Sequence, residues 1–232
     1  MIWHRNQMGG MGIIRKGDKA MRHEFVYVEK AEREKIRKEL QEIIFEVQDA
    51  VRGYFTFQYR FIGSSARNMI TYDKKSNVGF DFDVNFCIND KDGEYTSEEI
   101  RKIIKHAFDN VACNYGYGWC EDSTRVLTIR KKSYINSPTR YSCDFAIVRD
   151  VEGRQQYIRY NKHQSSYAWE EQPKEYQNLE KRVGWLRKRG LWNEVRDYYI
   201  EKKNNNIDDN KKSRSIYAET INEMCQKNGY KG

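Results

Sequence analysis

The chain has 232 residues, 33% of them charged and 38% hydrophobic, with a net charge of +8 and a pI near 9.1. That length can bury a real core, in one domain or one domain plus a small helical extension, and an aromatic content of 14% excludes a disordered chain. No apolar run approaches a membrane span and the N-terminus carries no signal-like segment, so a cytoplasmic protein without membrane contact is expected. The basic excess suits polyanionic partners such as nucleotides or nucleic acid.

Taken in order, residues 1–23 are polar, glycine-bearing and basic without a sustained period, as in a mobile arm. From about Glu32, the spacing of Ile36, Leu40, Ile43, Ile44, Val47 and Val51 predicts a helix that ends at Gly53. Tyr54–Ile62 is rich in aromatic and β-compatible residues and reads as a strand, running directly into Gly63-Ser64-Ser65. A long polar loop with Arg67, Lys74 and Lys75 is expected next, then an acidic strand over 78–88. Thr96 and Glu99 have the spacing of a capping box before a second amphipathic helix. Residues 123–132 and 140–149 read as strands joined by a turn at Asn136-Ser137-Pro138. Beyond them the pattern predicts helices: Glu175–Arg189, Trp192–Ile200, and a last one after the polar link 202–213. The implied division is the arm 1–23, a catalytic unit 24–155 and a helical region 156–232.

The five cysteines show no close C-x-x-C pair and no zinc-ligand spacing, which points to a reducing compartment and no zinc.

The chemistry concentrates in the acidic strand. Strand side chains alternate faces, so Asp81, Asp83 and Asn85 share one face while Phe80, Phe82, Val84 and Phe86 share the other. Two carboxylates about 7 Å apart along a strand repel, and a divalent cation between them relieves the repulsion. The Gly-Ser turn after the preceding strand offers amides and a hydroxyl to phosphate oxygens. Asp144 stands in an otherwise apolar or small-residue run, where an unpaired charge is costly, and its strand would belong to the same sheet. Tyr167 and Trp169 could stack on a base, although anchoring the C-terminal helices explains them equally well. The basic run Lys181, Arg182, Arg187, Lys188, Arg189 allows RNA contact, but a solvated helix face is the commoner reason for such a run.

With Ile62-Gly63-Ser64, Asp81-Phe82-Asp83-Val84 and Cys143-Asp144-Phe145 in place, the sequence resembles the DNA polymerase β-like nucleotidyltransferase superfamily over about Glu32–Asp150. The resemblance implies an α+β fold, a mixed sheet with helices packed on one face, followed by a small C-terminal helical region. It also implies a metal-dependent transfer of a nucleoside monophosphate from an NTP to an acceptor hydroxyl, in RNA, a small molecule or a protein, with release of pyrophosphate. Asp81, Asp83 and Asp144 would be the catalytic, metal-binding residues, holding Mg²⁺ or Mn²⁺. Gly63, Ser64, Ser65 and Arg67 would hold the nucleotide, ATP among the donors. A larger residue at position 63 is then expected to crowd the phosphates while leaving the carboxylate site formed. The alternatives are a degenerate transferase acting as an antitoxin or RNA-binding module, and a metal-dependent nuclease. The first lacks its mark, since all three acids are present; the second lacks an acid-x-Lys, since no lysine follows Asp81 or Asp144 by two positions.

Overall fold

The computed structural model describes residues 22–76, 79–90, 93–132, 139–172, 178–208 and 210–231. In chain order the elements are β1 (Phe25–Tyr27), α1 (Lys30–Val51), β2 (Thr56–Ile62), α2 (Gly63–Arg67), β3 (Thr71–Asp73), β4 (Phe80–Asn89) and α3 (Ser97–Val111). They continue as β5 (Glu121–Asp122), β6 (Leu127–Lys132), β7 (Thr139–Val151), β8 (Arg154–Asn161), β9 (Ser166–Glu171), α4 (Leu179–Lys188), α5 (Trp192–Asn204) and α6 (Ser213–Lys227). All but the last two residues of the expected arm, the turn at Asn136-Ser137-Pro138 and the start of the Glu175 helix lie outside the described residues.

The main sheet runs in the order β2-β4-β7-β6-β5. It is mixed: β4 and β7 are parallel, while β2 pairs with β4 and β6 with β7 in antiparallel fashion. A parallel pair cannot be closed by a tight hairpin, and here the chain between β4 and β7 makes a long crossover through α3 and β5–β6. The alternation read from the sequence sets the layering. Phe80, Phe82, Val84 and Phe86 of β4 point to one side with Cys143, Phe145 and Ile147 of β7, all buried. Against them pack Ile36, Leu40, Ile43, Ile44 and Val47 of α1 and Ile100, Ile104 and Phe108 of α3. The rings interlock, with Phe86 stacked on Phe57 at 4.2 Å and Phe108 against Phe145 at 4.4 Å. At the start of α3, the Glu99 amide donates to Thr96 Oγ1 (3.2 Å) and the Thr96 amide to Glu99 Oε2 (2.8 Å), the capping box that the spacing predicts.

Two segments differ from the sequence expectation. The stretch after Ile62 is not one long loop. It coils at once into α2, which the left-handed Asn68 closes, and Met69 and Ile70, both buried, lead into β3, which pairs with β1. The two apolar residues are too few to register as a periodic element, yet they are what anchors the segment. Likewise, residues 154–171 open the expected helical region but fold as the β8–β9 hairpin, which continues the sheet from the end of β7 that extends past β6. Alternating charged and aromatic residues in RQQYIRYN and SYAWEE carry the period-two pattern, half hidden by the charges on the solvent side. Among the described residues of this region, helices begin at Leu179, and α4, α5 and α6 form a second apolar cluster around Leu186, Val195, Tyr217 and Ile221.

The hairpin is tied to the body by one buried cation. Arg101 of α3 is fully buried, and its Nε and Nη2 both donate to Asp122 Oδ1, at 3.0 and 2.6 Å. Nη1 donates to the carbonyl of Ile158 (3.1 Å), and Nη2 also reaches those of Ser123 (2.6 Å) and Val126 (2.9 Å). Asp122 Oδ2 in turn accepts from the Tyr167 hydroxyl at 2.8 Å. Thus α3, the β5–β6 link, β8 and β9 meet at one guanidinium. Arg101→Met takes the guanidinium away from Asp122 and from three carbonyls, which costs about 3–5 kcal/mol for a broken buried pair. Urea denaturation should show that loss, whereas a surface change such as Lys102→Met should stay within about 0.5 kcal/mol.

Candidate active site

The sheet face turned away from α1 and α3 carries the acids. In the parallel β4–β7 ladder, Asp83 stands directly beside Asp144 and Asp81 beside Ser142. On the far side of β7, Thr128 of β6 is the neighbour of Asp144, and across β2 the neighbour of Asp83 is Ile62, the residue before the glycine turn. Three adjacent strands therefore bring Asp81, Asp83 and Asp144 to one face next to Gly63. A shift of one residue in the β4 register would send both of its carboxylates into the apolar core.

Each acid has its own local support. The Ser142 hydroxyl donates to Asp81 Oδ1, and the Thr128 hydroxyl donates to Asp144 Oδ1 at 2.6 Å. Ser65 is buried and its Oγ accepts the Asp83 amide at 2.9 Å. Gly63 has a φ of +58°, and a Cβ there would come within 2.8 Å of Asp83 Oδ2. Glycine is thus required twice, by the left-handed backbone and by the carboxylate against it. The structure corrects the expectation for position 63: a side chain there strikes Asp83 itself, so it cannot crowd phosphates while leaving the carboxylates untouched.

The electrostatics follow from this crowding. Burial, then the charges of Asp144 and Asp81, push the Asp83 carboxyl up to about 7, and only the Arg67 guanidinium draws the other way. Asp144 is raised by burial and by Asp81, against the lowering effect of its Thr128 hydrogen bond. Among the described residues, no three carboxylate, imidazole or thiol groups are already gathered around a common metal position. Asp81 and Asp144 are turned to their hydroxyl partners and Asp83 to the turn. The donor set nonetheless fits a hard divalent cation: three carboxylates on adjacent strands, with charge that the protein leaves largely unbalanced.

No protein-family model matches the chain, and no curated protein sequence matches it either. Solved structures do. The Vibrio cholerae DncV cyclic AMP-GMP synthase, in complex with the linear intermediate 5′ pppA(3′,5′)pG, superposes with a TM-score of 0.55 at 9% identity, over 76% of this chain and 60% of that one. Escherichia coli DncV in its 3′-deoxy GTP bound form gives a TM-score of 0.52 at 13% identity, over 84% of this chain and 53% of that one. The fold is that of the nucleotidyltransferases. The chain spans roughly half to three fifths of these relatives' length.

Within the nucleotidyltransferase fold, the structure brings together Asp81, Asp83, Asp144, Gly63, Ser65 and Arg67. Ser64 lies in the first turn of α2, and its carbonyl accepts the Met69 amide at 3.0 Å. Ser65 has its hydroxyl engaged with the Asp83 amide, a bracing contact beneath the site. Lys74 is drawn to Glu24 at 3.3 Å beside the β1–β3 pair. Tyr167 and Trp169 pack against the α3 side of the sheet with the apolar core, away from the acids, rather than against the C-terminal helices. Sequence reading missed Ser142 and Thr128. Ser142 was accessible to it, because it lies two residues before Asp144 and so shares its face; Thr128 required knowing that β6 neighbours β7.

The pH dependence has a definite sign. An unfolded aspartate titrates near about 4, so between about pH 4 and 7 the folded chain keeps a proton on Asp83 that the unfolded chain has lost. Stability of the metal-free protein therefore falls as pH rises through that window. Asp83→Asn removes the penalty and should raise stability at pH 8 by roughly 2–4 kcal/mol, with little gain at pH 4. Calorimetric melting at the two pH values checks this, and an equal effect at both would contradict it.

Proposed function

We propose that the chain is a divalent-metal-dependent nucleotidyltransferase that moves a nucleoside monophosphate from an NTP to an acceptor hydroxyl. The observation that carries the reading is the in-register placement of Asp83 beside Asp144 on parallel strands, with Asp81 on the same face and the Gly63 turn against Asp83. The likeness to structures described with GTP analogues and a linear dinucleotide supports it.

In this reading Asp81, Asp83 and Asp144 hold Mg²⁺ or Mn²⁺. The bound ions supply charge neutralisation and a more acidic acceptor hydroxyl. The chain's own residues do the rest. Asp144 would help take the proton of the attacking hydroxyl. Thr128 and Ser142 aim Asp144 and Asp81, and Ser65 keeps the β4 backbone seated against α2. The acceptor oxygen forms a bond to the α-phosphorus while the bond to pyrophosphate breaks, and the proton leaves with the base. Because in-line transfer depends on position and charge more than on covalent catalysis, no nucleophilic side chain is required.

For the acceptor we favour the hydroxyl of a second nucleotide, since one of the similar structures holds a 3′,5′-linked intermediate. Incubation with each α-labelled NTP and Mg²⁺, alone and then with RNA, metabolite extract or protein, separates the classes: label in a dinucleotide supports this choice, and label in RNA, a metabolite or protein replaces it. Asp83→Asn should reduce transfer at least about a hundredfold and weaken Mg²⁺ binding while the fold persists. Full activity in that variant would remove the carboxylates from the mechanism.

A further inference from the structure

Arg67 ends α2 and its charge acts on Asp83, yet its side chain is held in an unusual way. Its Nε is buried and has no hydrogen-bond partner among the described residues. What fixes it is a ring: the guanidinium carbon lies 4.1 Å from the centroid of Tyr217, on α6. Tyr217 is 3% exposed, its hydroxyl is likewise buried without a partner, and Tyr199 of α5 meets its ring edge-on at 6.0 Å. The contacts that Tyr217 makes with Arg67 and Tyr199 are made by its ring. Its ring face is occupied by Arg67, the arginine whose charge acts on Asp83.

We propose that Tyr217 is a positioning residue for the donor: its ring holds the Arg67 guanidinium flat and aimed at the acidic face, where it meets the terminal phosphates of a nucleoside triphosphate. The proposal rests on the donor reading above, and it makes α6, in the C-terminal helical cluster, a working part of the nucleotide site. A planar guanidinium can stack and still present its outer N–H groups to phosphate oxygens, which a lysine cannot do. The ring thus orders a long side chain before substrate arrives, and less rotamer freedom is lost on binding.

The test is titration calorimetry of ATP against AMP and GTP against GMP, each with Mg²⁺. It uses the full chain and the variants Tyr217→Leu, Tyr217→Phe, Arg67→Lys, Arg67→Ala and the double variant Arg67→Ala/Tyr217→Leu, with melting curves to confirm folding. Tyr217→Leu should weaken triphosphate binding about tenfold, the order of a desolvated cation–π contact, and leave monophosphate binding within about twofold. Tyr217→Phe should restore the loss. In the Arg67→Ala background, Tyr217→Leu should cost less than about twofold, because the two residues act as one unit. If Tyr217→Leu does not fold, Arg67→Lys carries the test, since it keeps the charge and removes the stack; it should lose triphosphate preference with the helical cluster intact. A loss shared equally by mono- and triphosphates, a full tenfold loss persisting without Arg67, or triphosphate preference retained in Arg67→Lys overturns the role of Tyr217 alone. A wild-type protein that binds triphosphates no better than monophosphates overturns the donor reading, and this proposal with it.

Discussion

The constraint on which the rest depends is the parallel pairing of β4 with β7. It sets Asp83 next to Asp144 at a fixed strand spacing, with Asp81 two residues away on the same face. Like charges at such separations raise the free energy of the folded chain, and nothing in the local β-propensity of the segment requires them. The apolar halves of the same strands supply the compensation. Phe82, Val84 and Phe86 of β4, and Cys143, Phe145 and Ile147 of β7, bury on the opposite face with almost no exposure. Each buried side chain of this size contributes on the order of 2 kcal/mol, enough together to hold an acidic face that opposes them.

Around that face, side chains manage the repulsion individually. Ser142 and Thr128 each donate a hydroxyl to one acid, and Arg67 lends Asp83 partial neutralisation from the neighbouring turn. None of these contacts removes the excess negative charge of the face. The division of labour matches the elements: strands place the carboxylates, short polar side chains on adjacent strands orient them, and the glycine turn brings a backbone against them.

Much of this was legible in the sequence because it depends on period. The alternation in Phe80–Phe86 assigned both faces of β4, and the run around Asp144 showed a charge that needed a reason to be there. The Gly-Ser turn was recognisable as a turn directly after a strand, but not the second demand on Gly63, which comes from a carboxylate twenty residues away only once β2 and β4 pair. The β8–β9 hairpin escaped because its charged residues dilute the alternation, and because what holds it is Arg101, whose partners on other elements leave no trace in the sequence. Thr128 and Tyr217 escaped for the same reason: their roles exist through neighbours on other elements, and composition or spacing carries no trace of that.

Met69 and Ile70 are consecutive residues, yet their side chains are buried in different apolar clusters, Met69 with the C-terminal helices and Ile70 with the sheet and its helices. The short segment carrying Arg67 is therefore pinned at its end to two bodies at once. Its location is surveyed from both, like a point fixed by two bearings, and neither body can slide past the other without bending the peptide between those residues. The relative orientation of the two clusters is thereby written into the position of the Gly63 turn.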